Sequence, residues 1–597
     1  MDSPGRYWPA AWIALAATLA ITFVPLIVRR REKRPALAGT ILCSPWLYLG
    51  MLGLLLFAFR WLALLVPAEL GPDEPQVIAQ AITIANAGLV ESVTFYGEVQ
   101  SGSTGVLWTY FLLVPHLLGF EINYASARFM GLALLWVSGV ALYLAVKKVS
   151  GEMPARIATL SAILCFATSH KPDLLHYSSE HPALPLIAFG SLLVLGLRDV
   201  DGKRPGLRAY LSGLLMGAIP FAKLQPTIVG LAVTAMAFGA IATSPAVARR
   251  EKTRRAALLT AGGLSVPAIL LGLYALRGQF SYFWHVYLVH NYHYKVLGEP
   301  VGKLFRDYVS ESSPAGLNLN QLNYDIFFSA TAAFILVCLV VRAVARGRGQ
   351  LRALWPLLFS VVLYAASWWA VIAPGRSFPH YLLLTVFPAC LLCGILMADP
   401  KRAQGLSATE SATPCRSHVS WGAWIGVACL VLPLAVFCFR PLFHTFDDFY
   451  FTLDRAVGNI VEGRRSLLPP LSSRQINRAK KPGDRLTVWG WRADYHVETQ
   501  LPMGTRSACP ENQIRDVPLR DYFRRTALEE FKRTMPAFFV DATGPLSHEF
   551  TSRKLHGHHI FPELAAFIRE NYTLSRDFTD DRLYIRNDRY REIAAEM

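Results

Sequence analysis

Asp73 and Glu74 stand side by side in Gly71-Pro72-Asp73-Glu74-Pro75, just after an apolar run, and no Lys or Arg occurs from Val66 to Ala127. One reading makes the pair a helix cap: Pro75 suits a first helical turn and acidic residues suit the positive end of the helix dipole. Capping needs only one carboxylate, however, and two at a membrane edge are costly unless something from outside meets them. Lys223 in Ala222-Lys223-Leu224-Gln225-Pro226 and Arg376 in Pro374-Gly375-Arg376-Ser377-Phe378-Pro379-His380-Tyr381 also end apolar runs. Each could simply snorkel to the interface. Taken together with Asp73 and Glu74, they suggest a site for a phosphate-bearing substrate.

The elements that must position these groups are membrane helices. The chain is 53% hydrophobic with mean hydropathy +0.32, and apolar runs recur from residue 8 to residue 439. Twelve candidate spans lie near 8–28, 45–66, 128–146, 157–169, 182–197, 209–222, 226–243, 256–275, 326–343, 353–373, 380–397 and 421–439, most of them long enough for a hydrocarbon core. The connections 29–44, 147–156, 198–208, 244–255, 342–352 and 398–420 hold 24 Lys and Arg against 7 Asp and Glu, an excess equal to the formal net charge of +17 of the whole chain. The positive-inside rule makes those six loops cytoplasmic. The basic balance is therefore topogenic and says nothing of nucleic acid.

The first apolar run lacks a basic leader and a clear cleavage site and is followed by Arg29-Arg30-Arg31-Glu32-Lys33-Arg34, as a retained helix with an outside N-terminus would be. The second span then delivers Asp73 to the external face. The first external loop, 67–127, should carry a surface helix from Pro75 to about Leu89. Its second apolar element, 106–120, should be re-entrant or interfacial, since spanning there would put Lys147 and Lys148 outside. The turn from Ser169-His170-Lys171-Pro172-Asp173 to Ser178-Ser179-Glu180-His181-Pro182 falls on the same side, as do Lys223 and Arg376.

A second external loop, Arg277 to Asp325, contains Tyr282-Phe283-Trp284-His285-Val286-Tyr287-Leu288-Val289-His290-Asn291-Tyr292-His293-Tyr294-Lys295. Its aromatics could stack on a sugar or on lipid, or form an interfacial belt. From about residue 440 the long apolar runs stop. Strand-like pieces at 486–489, 537–540 and 583–585, with a helix near 562–571, make 440–597 a small external α/β domain beside a transmembrane domain of 1–439. Of nine Cys only Cys509 lies in that domain, which excludes a disulfide within it. His556-Gly557-His558-His559 lacks the company of a metal site and reads as a solvated loop. No metal or other cofactor is expected, and a divalent cation is not evident. Gly-rich phosphate loops, a dinucleotide fingerprint and Gly-x-Ser-x-Gly are all absent from the sequence.

The early outward span, Pro72-Asp73-Glu74, the loop with interfacial helices, Tyr124-Ala125-Ser126-Ala127-Arg128 opening the next span, and Gly375 to Tyr381 follow one another in an order that resembles the GT-C glycosyltransferases. The nearest branch resembles the bacterial aminoarabinose transferases and the protein O-mannosyltransferases. Val488-Trp489-Gly490-Trp491 and Phe561-Pro562-Glu563-Leu564 extend the likeness to the C-terminal end. The resemblance implies a polytopic α-helical membrane protein of about 12 transmembrane helices. It implies transfer of a sugar from a polyprenyl-phosphate donor to an acceptor hydroxyl on a cell-envelope glycan, lipid or protein at the outer face of a bacterial inner membrane. By position, Asp73 would be the general base and Glu74 would orient donor or acceptor. Arg128, Lys223 and Arg376 would meet the leaving phosphate with help from His380 and Tyr381, and Glu180 would shape the acceptor side. Arg128 could instead be a simple interface anchor.

One departure is that Ser101-Gly102-Ser103-Thr104-Gly105 stands where aminoarabinose transferases carry a Lys-Pro-Pro-like stretch, which argues against lipid A as acceptor. The rival reading is a transporter of lipid-linked sugars, which would want internal repeats and a site open to both faces. A mere anchor for a polymer-binding domain would not need twelve spans.

Overall fold

The computed structural model of the chain describes residues 13–23, 44–88, 105–169, 172–198, 204–245, 247–296, 298–300, 302–304, 322–344, 354–398, 421–432 and 470–596. Ser101 to Thr104, His170 and Lys171, and most of the basic loops lie outside the described residues.

Each of the twelve apolar segments holds a described helix. They are Ile13–Phe23, Pro45–Leu65, Tyr124–Ser150, Glu152–Ala167, Ala183–Leu195, Pro205–Ala222, Thr227–Thr243, Arg249–Leu276, Leu322–Val344, Leu354–Ile372, Leu383–Leu396 and Trp421–Gly426. Among the described residues, four stretches are long and apolar enough to cross a membrane: Tyr124–Ser150, Arg249–Leu276, Trp355–Ile372 and Pro379–Leu396. The others are shorter or less apolar. The 383–396 helix is buried along its whole length, so it forms the centre of the bundle.

The helix that carries Lys223 at its end is set by glycine. A Cβ on Gly213 would lie 2.0 Å from the Leu259 carbonyl oxygen, and one on Gly217 would lie 2.1 Å from that of Gly263. The Gly-x-x-x-Gly face of Pro205–Ala222 therefore lets its backbone touch that of Arg249–Leu276, where apolar side chains would give no advantage over lipid. Replacing Gly213 by Leu should force the helices apart and cost about 1–3 kcal/mol or more. Detergent-solubilised protein should then melt at lower temperature in a thermal ramp, and an unchanged transition would contradict this packing.

The first loop begins with a helix at Glu74–Ala87, close to the expected 75–89. Its second element is two short helices, Val106–Tyr110 and Leu113–Leu117. Gly105 pins their start, donating its N–H to the Ala222 carbonyl at 3.0 Å. Leu117, Leu118 and Phe120 at their far end are exposed, as an interfacial element would leave them.

Residues 470–596 build a four-stranded sheet in the order β1-β2-β4-β3, with β1 Leu486–Trp489, β2 Phe538–Asp541, β3 Tyr572–Asp577 and β4 Arg582–Arg586. β1 pairs parallel to β2 and the other two pairings are antiparallel. The alternation of β2 serves two cores: Phe538 and Val540 join Leu486, Val488, Leu583 and Ile585, while Phe539 joins Phe531, Phe561 and Ile568. In the His cluster, His558 is buried and its Nδ1 lies 2.6 Å from Asp541 Oδ2.

This unit sits on the Glu74–Ala87 helix. Met503 donates its N–H to Thr83 Oγ1 at 3.0 Å, Gln500 donates to the Ile122 carbonyl at 3.2 Å, and Trp491 Nε1 donates to the Pro72 carbonyl at 3.3 Å. The aromatic run of the second loop also faces it. His285 stacks on Tyr522 at 5.0 Å, His290 meets Phe523 edge-on at 5.6 Å, and the Arg506 guanidinium lies 4.2 Å from the Tyr282 ring centre. Much of the expected aromatic belt is thus a seam to the C-terminal unit.

Candidate functional site

A cavity of about 650 Å³ opens where the loops of the helical part meet the C-terminal unit. Asp73 lines it from the start of the Glu74–Ala87 helix. Although Asp73 occupies the N-cap position, its side chain makes no capping hydrogen bond. The carboxylate accepts instead from Gln76 Nε2 at 3.2 Å and faces the cavity. The cap reading therefore does not account for it.

Glu74 does something else. Its carboxylate is fully buried and takes a two-pronged contact from Arg128, Nε to Oε1 and Nη2 to Oε2, both at 2.7 Å. Arg128 spends its remaining N–H groups on the carbonyls of Ala63 and Val66 at 2.7 Å and of Ala68 at 2.6 Å. All five donors of the guanidinium are thereby engaged. This corrects two expectations. The acidic pair does have a cation, one residue beyond the cation-free stretch, and Arg128 has no donor left for a phosphate. Its work is to clamp the chain just before Asp73, with Glu74 as the other jaw.

The opposite wall is built by helix ends. Pro205–Ala222 terminates at Lys223, whose Nζ donates to Ser179 Oγ at 2.7 Å and to Glu180 Oε1 over a shorter distance. Lys223 also lies 4.6 Å from the Tyr381 ring centre and is 6% exposed, so it does not snorkel to an interface. Glu180 is buried behind it, with His380 Nε2 4.0 Å from its Oε2. Burial pushes the Glu180 carboxyl upward, but the charges of Lys223 and His380 outweigh that and hold it at about 2. His380 and Tyr381 stand in the short turn Pro379–Leu382 that opens the 383–396 helix, and Arg376, just ahead of it, lies 4.9 Å from the Tyr294 ring centre.

Of the residues singled out from the sequence, Asp73, Lys223, Arg376, His380 and Tyr381 therefore share one cavity. Glu74, Arg128 and Glu180 lie behind its walls as partners of groups that reach it or hold it. The C-terminal unit is not expected at the site from sequence, although Trp491, Glu511 and Arg515 line it, whereas His290 and Tyr294 come from the aromatic run offered for stacking on a sugar or on lipid. Burial draws the His290 imidazole down to about 4, so it faces the cavity neutral. Among the described residues no group of three His, Cys, Asp or Glu is placed to hold a metal ion.

No protein-family model and no curated protein sequence matches the chain. Solved structures do. ArnT from Cupriavidus metallidurans bound to undecaprenyl phosphate superposes with TM-score 0.54 at 13% identity, over 91% of this chain and 98% of that one. The apo state of the same protein gives 0.51 at 15% identity, over 90% and 97%. The chain shares the fold of ArnT. A weaker likeness, TM-score 0.43 at 12% identity, is to the oligosaccharyltransferase of Archaeoglobus fulgidus, over 83% of this chain and 68% of that one.

Proposed function

We propose that the chain is a membrane glycosyltransferase that moves a sugar from a polyprenyl phosphate to an acceptor hydroxyl on a cell-envelope glycan, lipid or protein. In this reading twelve helices cross the inner membrane, and the cavity and the C-terminal unit lie on its outer side. The observation that carries the reading is the cavity itself, with the Asp73 carboxylate on one wall and Lys223, Arg376, His380 and Tyr381 on another. A base and a set of cations around one space of that size suit an attack at one end of a bond and the departure of a phosphate at the other.

The acceptor hydroxyl loses its proton to Asp73 as its oxygen bonds to the anomeric carbon. The bond from that carbon to the phosphate oxygen breaks, and the electron pair leaves on the lipid phosphate. Charge develops there, where Lys223 offers the N–H not taken by Ser179 or Glu180 and Arg376 offers its guanidinium. His380 and Tyr381 supply hydrogen bonds. A single displacement inverts the anomeric centre. Glu180 acts through Lys223, holding the ammonium aimed, which gives it a donor-side role in place of the acceptor-side one expected from sequence.

Losing a charge-assisted contact to the phosphate should weaken donor use by roughly 10–100-fold. Arg376→Met is therefore expected to raise the apparent KM for the lipid-phosphate sugar by that factor with little change in thermal stability. Donor kinetics indistinguishable from wild type would remove Arg376 from the phosphate site.

A further inference from the structure

The charges around the cavity are sorted by wall. Lys223 and Arg376 stand on the helical side, whereas the C-terminal unit contributes Glu511, Asp516 and Glu549 against a single cation, Arg515. That cation is already committed: its Nη1 lies 2.9 Å from Glu511 Oε2, its Nη2 is bonded to Glu549, and its guanidinium lies 5.1 Å from the Trp491 ring centre. Arg515 thus offers a phosphate little uncompensated charge, and although Asp516 Oδ1 meets Arg520 Nη1 at 3.0 Å, the three carboxyl groups outnumber the cation that faces the cavity and oppose an anion.

We propose that the C-terminal wall is the acceptor subsite, and that it takes a hydroxyl-rich sugar carrying no phosphate or carboxylate. This rests on the transferase reading above and adds the class of acceptor to it. Carboxylates and the Asn512 amide accept hydrogen bonds from several hydroxyls at once, and the surplus negative charge turns phosphorylated groups toward Lys223 and Arg376. Substrates are thereby oriented by charge: lipid phosphate against the helices, neutral sugar against the C-terminal unit. The hydrogen bond from Trp491 to the Pro72 carbonyl, one residue before Asp73, fixes this wall relative to the base. Glu511, a quarter exposed within the cavity, adds a pH dependence, since removal from bulk water pushes its carboxyl up to about 7 although Arg515 pulls it down. Asp73 pushes it further up. Below that pH it can donate to a hydroxyl, and above it the wall gains a charge.

The test is binding of a glycan array to the purified full chain in nanodiscs, read without any turnover. The array carries neutral oligosaccharides, the same oligosaccharides phosphorylated, and Ser- and Thr-containing peptides. Wild type is expected to bind one or more neutral glycans. Asp516→Lys and Glu549→Lys, both at exposed positions, should each weaken that binding at least about tenfold and raise binding of the phosphorylated forms. Glu511→Gln should flatten the change in binding between pH 6 and pH 8. Preference of wild type for phosphorylated glycans or for peptides, binding of no glycan at all, or lysine variants that bind as wild type does would each overturn the proposal. Because binding is read apart from transfer, failure of the transferase reading would appear separately, as lack of lipid-phosphate release.

Discussion

Replacing Arg128 by Met is expected to destabilise the protein by about 3–5 kcal/mol, the range for stranding one member of a buried ion pair. Glu74 has no exposed surface and receives both of its short charged contacts from Arg128. The guanidinium also closes the carbonyls of Ala63, Val66 and Ala68, so its loss leaves acceptors as well as a carboxylate unmatched. The loop leading to Asp73 should loosen, and activity should fall with stability. The double change Arg128→Met with Glu74→Gln removes both charges and should recover part of the melting temperature. A thermal ramp on the two variants checks this. If Arg128→Met melted like wild type while donor KM rose, Arg128 would be a phosphate ligand after all.

Asp73→Asn should behave in the opposite way, leaving the fold intact and removing the reaction. The side chain lies in the cavity with a single modest hydrogen bond from Gln76, makes no cap, and is nearly isosteric with Asn. A positioned general base contributes about 10²–10⁴-fold to rate, and kcat should drop by that factor with donor KM nearly unchanged. The measurement is transfer kinetics on purified protein matched for melting temperature. Near wild-type turnover would show that the proton goes elsewhere.

The contrast between neighbours 73 and 74 shows what one-dimensional information can and cannot give. Apolar runs announce helices locally, so each expected segment contains one, and the helix at Pro562–Asn571 and strands β1, β2 and β4 fall within a residue or so of their expected places. That Asp73, Lys223, Arg376 and His380 line one cavity agrees with the alternation of basic and neutral loops, from which the sequence reading expects them on one side. Which carboxylate is sealed and which is open depends on Arg128, 54 residues away, and no local pattern reports that pairing. Trp491 and Glu511 reach the cavity only through tertiary docking, from more than four hundred residues beyond Asp73. β3 was missed because Tyr572–Asp577 follows directly on the helix that ends at Asn571 and is an edge strand, one residue buried and the rest exposed or partly so, with little apolar alternation.

The central claim is that the cavity breaks a sugar–phosphate bond, where a carrier of lipid-linked sugars would leave it whole. The most direct measurement is release of free polyprenyl phosphate, by mass spectrometry, from proteoliposomes given polyprenyl-phosphate sugars and neutral glycans extracted from source cells. The expected result is lipid phosphate appearing one for one with glycosylated acceptor, and neither product with Asp73→Asn. Sugar crossing the bilayer still joined to its lipid, with no lipid phosphate freed, would contradict the account.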